Sequence, residues 1–280
     1  MSGEKKLLKI INQNKSFLAV FSLFLSLLLV VGSTYSWITY SDEKINQNES
    51  HSKKLSAVID EVFTPNLQWA QGKTTEKKLL VKNDGQMPAL VRISLYEFFT
   101  QFTLDMTDGV GNGNQKIVSK SSGSDMTMED TATWKKGNTY KIASEKYYVA
   151  SEVYKGDKTN PNTAYVYKKS RSFEGLKYLR IQFNDADIYD ENAQPSPGTQ
   201  DYWYYSDGYF YYSEVLQPQE KTKQLVQSIT LDNALPNKYK GSLYQLIPVM
   251  DAHDVTKSLM KNWKISSGSY VEAMYLEKVN

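Results

Sequence analysis

One stretch constrains the fold more than any other: Tyr202-Trp203-Tyr204-Tyr205-Ser206-Asp207-Gly208-Tyr209-Phe210-Tyr211-Tyr212. Asp-Gly between two aromatic runs predicts a β-hairpin. With Asp207-Gly208 as a two-residue loop, Tyr205 faces Phe210, Tyr204 faces Tyr211 and Trp203 faces Tyr212. Each aromatic cross-strand pair is worth roughly 0.2–1 kcal/mol. The chain carries 21 Tyr, 10 Phe and 5 Trp, an enrichment that favours strands over helices.

Strand patterns recur on both sides of this hairpin. Leu55, Val58, Ile59, Val62 and Phe63 open the folded region, and Leu79-Leu80-Val81 predicts a second strand. Asn83-Asp84-Gly85 reads as a turn, with Gly85 expected at positive φ. Pro88 then starts a strand in which Val91, Ile93 and Leu95 alternate with Arg92, Ser94 and Tyr96. A period of two puts the first three on a core face. Further strands are predicted over Tyr147–Tyr154, Thr163–Lys168, Tyr178–Phe183, Leu225–Leu231 and Leu243–Met250. Residues 104–146 are rich in turn signals and read as a long, loop-rich insertion. After Asp251, the spacing of Val255, Leu259 and Trp263 predicts a helix capped by Asp251 or Asp254. Ser269–Leu276 reads as a closing strand. Many strands at short spacing with one or two short helices predict a mainly β fold, an antiparallel β-sandwich over 55–280.

The N-terminal segment has a different character. Lys5, Lys6, Lys9 and Lys15 precede the apolar run Phe17–Val31, which leads to Gly32-Ser33-Thr34-Tyr35-Ser36-Trp37. That order predicts a hydrophobic signal helix within 1–36 and cleavage at the Ser36–Trp37 bond. The alternative is an uncleaved membrane anchor, with Tyr35, Trp37 and Tyr40 at the interface. Residues 41–54 are polar and lack an apolar face, and 37–54 read as a flexible arm. Contact with a membrane is expected only through the N-terminal segment before the cut, and the expected localisation is extracellular, at the cell surface or in the surrounding matrix, or membrane-anchored if the signal is not cleaved.

Composition excludes several chemistries. Taking the four lysines and one glutamate of 1–36 from the 33 basic and 31 acidic residues leaves 29 and 30. No basic surplus drives nucleic-acid binding. The chain has no cysteine, so it folds without disulfides and lacks a thiol nucleophile. Its two histidines, His51 and His253, are far apart and form no His-Glu-x-x-His element. No Gly-x-Ser-x-Gly element appears either. The acidic run Asn184–Asn192 has Asp190 where a calcium loop of the EF-hand type needs glycine. We therefore expect no enzyme activity, no catalytic or metal site and no cofactor. The aromatic hairpin could stack sugars, although such hairpins are more often core.

Three stretches, together with the signal, carry a resemblance. They are Val81-Lys82-Asn83-Asp84-Gly85-Gln86-Met87-Pro88-Ala89-Leu90-Val91-Arg92-Ile93; Asp207–Tyr212 leading to Leu216-Gln217-Pro218-Gln219-Glu220-Lys221-Thr222; and Tyr244–Val249 followed by a helix carrying Trp263. With the signal ending in Gly32–Trp37 followed by Asp42, the chain resembles the substrates of the SipW-type signal peptidase. Those include TasA, camelysin and BsaA-type biofilm fibre proteins of Gram-positive bacteria. The turn after Leu216 reads Pro-Gln-Glu where the family pattern has Pro-Gly-Glu. The resemblance implies a jelly-roll-like sandwich, exported with the help of that peptidase, that polymerises with itself into extracellular matrix fibres. It implies that the arm adds as a donor strand to the next subunit, with Trp37, Ile38, Tyr40 and Ile45 filling a groove. It also implies intermolecular isopeptide links, for which Lys44, Lys53 and Lys54 are candidates. A membrane-retained adhesin or carbohydrate-binding module, or less so a camelysin-like protease, is the alternative.

Overall fold

The structure, a computed structural model, describes residues 55–63, 71–107, 109, 113–119 and 125–279. All of them belong to a unit spanning Glu49–Asn280. The predicted signal and arm lie outside the described residues. In chain order the strands are β1 (Val58–Phe63), β2 (Thr74–Lys82), β3 (Ala89–Phe102), β4 (Asp125–Met126), β5 (Thr139–Ala143) and β6 (Lys146–Lys155). They continue with β7 (Leu179–Phe183), β8 (Ile188–Tyr189), β9 (Trp203–Ser206), β10 (Tyr209–Tyr212), β11 (Val226–Leu231) and β12 (Leu243–Asp254). Two short helices follow, α1 (Ser258–Asn262) and α2 (Tyr270–Leu276).

The strands form two sheets. One has the order β1-β2-β11-β7, antiparallel throughout. The other runs β4-β5-β6-β3-β10-β9-β8, with β12 paired along the other edge of β3. Two-residue bridges, β4 to β5 and β8 to β9, are parallel. One hydrophobic cluster draws on both sheets: Leu79 and Val81 of β2, Val91, Ile93 and Leu95 of β3, Phe183 of β7, Phe210 of β10, Ile229 of β11 and Leu246 of β12. Burying each such side chain contributes about 1.5–3 kcal/mol.

Strand β3 organises the molecule. Its odd-numbered residues face the shared core, as the alternation predicts. The opposite face is buried as well, so all 14 residues of the strand are inside. Leu90 lies under α1 and α2, packed with Leu259, Trp263, Val271 and Tyr275. Tyr96, Phe98 and Phe102 lie under the 104–146 region, packed with Met126 and Trp134. That region is not structureless. It pairs Leu104 with Gln115, adds β4 and β5 beyond β6, and seats Trp134 with its indole donating to the Thr127 carbonyl at 2.7 Å.

The hairpin register is the predicted one: Phe210 opposes Tyr205, Tyr211 opposes Tyr204 and Tyr212 opposes Trp203. Asp207 (φ 49°) and Gly208 (φ 84°) both take the left-handed conformation that this turn needs. Four expectations are corrected. Gly85 is not at positive φ; the Asn83 side chain makes the turn instead, its Oδ1 accepting the Gly85 N–H at 2.9 Å. Thr163–Lys168 is not a strand. A 3-10 turn, Pro161–Thr163, precedes it, only the Tyr165 N–H joins β3 (to the Leu95 carbonyl, 2.7 Å), and Lys168 turns the chain at φ 58°. Asp251 and Asp254 do not cap a helix, because β12 runs through both. Ser269–Leu276 is helix, not strand.

Candidate functional site: sheet edges, a buried ion pair and a cationic cleft

Every residue that the sequence reading assigned a role lies outside the described residues: Ser36 and Trp37 at the cut, Trp37, Ile38, Tyr40 and Ile45 of the arm, and Lys44, Lys53 and Lys54. The structure therefore bears on function through the body to which such an arm would attach. Sheet edges matter first, because an unpaired edge strand presents backbone donors and acceptors to another chain. In the larger sheet, β4 and β8 are two residues each and offer little. β12 is 12 residues long, and among the described residues no strand pairs with its outer edge. At about 3.4 Å per residue that edge spans roughly 40 Å. Beyond Leu246 every residue but the buried Pro248 is half-buried. Met250 and Ala252 pack toward the shared core, and Ile247 and Val249 toward the cluster under the 104–146 region. Pro248 removes one donor in mid-strand, an edge-protecting choice.

In the smaller sheet β7 is an edge, and a buried charge pair lies beside it. Glu97 points into the shared core from β3. It accepts from Arg171 Nε at 3.0 Å and from the Tyr244 hydroxyl at 2.8 Å. Arg171 Nη1 donates to the Leu179 carbonyl of β7 at 2.7 Å. Burial pulls the Arg171 pKa down, but Glu97 more than offsets this and the net shift is upward. Burial holds the Tyr244 hydroxyl well above its usual range. One guanidinium nitrogen, Arg171 Nη2, is buried with no hydrogen-bond partner.

Arg171 also lines an open cleft of about 660 Å³ along β7. Five of its nine lining residues are cationic, Lys168, Lys169, Arg171, Lys177 and Arg180, and none is acidic. Sequence reasoning missed this cleft because its cations come from three segments, each unremarkable alone.

In the aromatic hairpin Tyr205 and Tyr209 are half-buried. Trp203, Tyr204, Phe210, Tyr211 and Tyr212 are all buried. The acidic run is a 3-10 turn, Asp185–Asp187, then β8, then a turn around Asp190, which accepts from Lys168 Nζ at 3.0 Å and from the Asn192 N–H at 2.9 Å. Among the described residues no group of three His, Asp or Glu side chains could hold a metal. No described helix is long and apolar enough to cross a membrane. His253 is half-buried, its Nδ1 beside the Asp254 carbonyl at 2.8 Å and its Nε2 beside Asn262 at 2.8 Å.

The residues that carry the family resemblance sit at joints. Asn83 is fully buried. Its Nδ2 donates to the Met87 and Leu216 carbonyls, both at 2.8 Å, and its backbone N–H donates to the Glu220 carbonyl at 2.9 Å. The Asn-Asp-Gly turn and the Leu216–Glu220 turn are thus one junction. Arg92 joins the other two stretches. It donates to Asp251 Oδ2 at 2.8 Å and to the Trp263 carbonyl at 3.0 Å, with its guanidinium 4.0 Å from the Tyr209 ring centre. No protein-family model and no curated protein matches the chain.

Proposed function

We propose that this protein is a secreted structural subunit that polymerises into extracellular biofilm-matrix fibres by strand addition, on a jelly-roll-like sandwich. The observation that carries the reading is the outer edge of β12. It is the longest edge of the larger sheet, no described strand pairs with it, and from Val249 to Asp254 its side chains are half-buried on both faces. An extended peptide added there would extend the ladder and cover apolar surface on two sides. The segment Trp37–Asn46 has the composition for that role, since Trp37, Ile38, Tyr40 and Ile45 are strand formers. On this reading, removal of the signal frees the arm, and the SipW-type peptidase acts as the assembly switch. Covalent links through Lys44, Lys53 or Lys54 would reinforce a fibre that has no cysteine to crosslink.

The test compares chains that begin at Trp37 with chains lacking Trp37–Asn46. The first should assemble into high-mass species in size-exclusion chromatography with light scattering, and the second should stay monomeric. Met250→Lys and Ala252→Lys, which place charges beside the β12 edge, should block assembly; both side chains also pack toward the shared core, so the monomer's thermal midpoint should fall, and retained far-UV circular dichroism shows that the fold persists. Assembly by the arm-deleted chain, or monomers from both, would sink strand addition by this arm. Ladders that survive boiling in detergent are expected if the lysine links form; their absence removes that part of the proposal.

A further inference from the structure

We propose that the cationic cleft beside β7 binds a polyanion bearing several phosphate groups along a chain. The cleft presents five cations and no carboxylate. Four of the cations have carboxylate partners, and the placement of those partners decides what a ligand meets. Lys168 is 55% exposed while its partner Asp190 is 9% exposed, and Arg180 is 69% exposed while Asp232 is 22% exposed. Glu97, the partner of Arg171, is buried. Only Lys177 and Glu174 share the solvent equally. The carboxylates therefore stand mostly behind the cations, orienting them, and the accessible surface is positive. Lys169 is exposed and has no ion-pair partner among the described residues. Arg171 lines the cleft with its guanidinium held in place, Nε by Glu97 and Nη1 by the Leu179 carbonyl.

The same ion pairs favour a multivalent ligand. A single small anion must compete with carboxylates already in place. Exposed pairs of this kind are weak and cheap to open. A chain of anions opens several at once, because each group after the first binds at high effective concentration. Phosphate suits these partners better than carboxylate does. It brings more charge and more acceptor oxygens per group, and it matches both the guanidinium fork and the point charge of lysine. The cleft is open, and its cations reach from the 168–171 segment to Lys177 and to Arg180 on β7, a layout for a chain lying across the surface.

The test uses the full chain in isothermal titration, with orthophosphate, tripolyphosphate and a glycerol-phosphate polymer as separate probes. The last two distinguish phosphoanhydride from phosphodiester sources of the shared chemistry. Either polyanion should bind at least tenfold more tightly than orthophosphate, with affinity falling as salt rises. Lys169→Glu and Arg180→Gln should each weaken binding about tenfold and flatten the salt dependence by about one unit of log–log slope. Lys169→Arg should bind like the parent. Lys78→Glu, which makes the same charge change as Lys169→Glu on an exposed residue outside the cleft, should have little effect. Unchanged thermal midpoints confirm that the variants fold. Equal losses for Lys78→Glu and Lys169→Glu, equal affinity for orthophosphate and tripolyphosphate, or no binding by the parent would each overturn the proposal. None of these outcomes depends on assembly, so the cleft and the fibre reading stand or fall separately.

Discussion

Gln219 shows how much a single backbone angle can reveal. The turn Gln217–Glu220 is closed by the Glu220 N–H to the Gln217 carbonyl at 3.0 Å, with Pro218 at its second position and Gln219 at φ 72° in the third. That is a type II turn, whose third position favours glycine. Gln219 holds that conformation with a side chain, so it is a strained residue in the structure. A left-handed non-glycine residue costs about 1–2 kcal/mol, and glycine returns part of that as unfolded-state entropy. Gln219→Gly should therefore stabilise the protein by about 0.5–1 kcal/mol, read as a higher urea midpoint at constant slope. A lower midpoint would mean that the Gln219 side chain does something the turn geometry does not show. Asn83 is the opposite case. Asn83→Ala removes both Nδ2 donations and the acceptor of the Gly85 N–H inside the fold, at a cost of about 3 kcal/mol. Asn83→Asp should cost more at neutral pH despite its matching shape. It points a carboxylate oxygen at two carbonyl oxygens, and chemical denaturation of the two variants would rank them.

At the level of elements, what was legible depended on how local the signal was. The 202–212 hairpin was legible down to its register, because turn and strands lie within 11 consecutive residues. The Ser269–Leu276 segment was misread as a strand from its Tyr and Val content. Its spacing holds the correct answer: Val271, Met274 and Tyr275 share one helical face and are the buried ones. Ser269 and Glu272 also form a capping pattern. Ser269 Oγ accepts the Glu272 N–H at 3.2 Å, and Glu272 Oε2 accepts the Gly268 N–H at 2.6 Å. Ser269→Ala should destabilise the protein by about 1 kcal/mol. It should also raise amide exchange across 270–276 more than in β3, and uniform loss of protection would show instead that the helix opens only with the whole fold. The Thr163–Lys168 segment was misread for a non-local reason. On that edge of β3, β10 takes Arg92 and Ile93 and β6 begins at Phe98. The Tyr165 N–H finds only the Leu95 carbonyl in the gap between them, and no residue spacing in the sequence announces that gap. The cationic cleft was illegible for the same reason, since it exists only where β7 meets the 168–171 segment.

Across the whole body, the aromatic content acts as a pH-dependent part of the core. Many of its tyrosines are buried with their hydroxyls inside, and burial is the first cause of each upward pKa shift. Tyr165 is pushed up to about 12, and Tyr244 and Tyr275 are held well above their usual value. The sign follows directly. These hydroxyls keep their protons in the native state at pH values where the unfolded chain has lost them. Above the unfolded value near 10 the unfolded state binds fewer protons, so stability falls as pH rises. Below 10 their contribution is fully present; it fades as pH climbs toward and past 12. Each such hydroxyl costs about 1.4 kcal/mol per pH unit within its window, so these three together remove about 4 kcal/mol per unit. A domain near the lower end of the usual 5–15 kcal/mol would then unfold cooperatively between about pH 11 and 12. Absorbance at 295 nm should show the buried tyrosines ionising in an abrupt step coincident with loss of far-UV circular dichroism. A single smooth titration near pH 10 with the fold intact would mean that the hydroxyls are reachable by water and that the aromatic layer is not the closed core described.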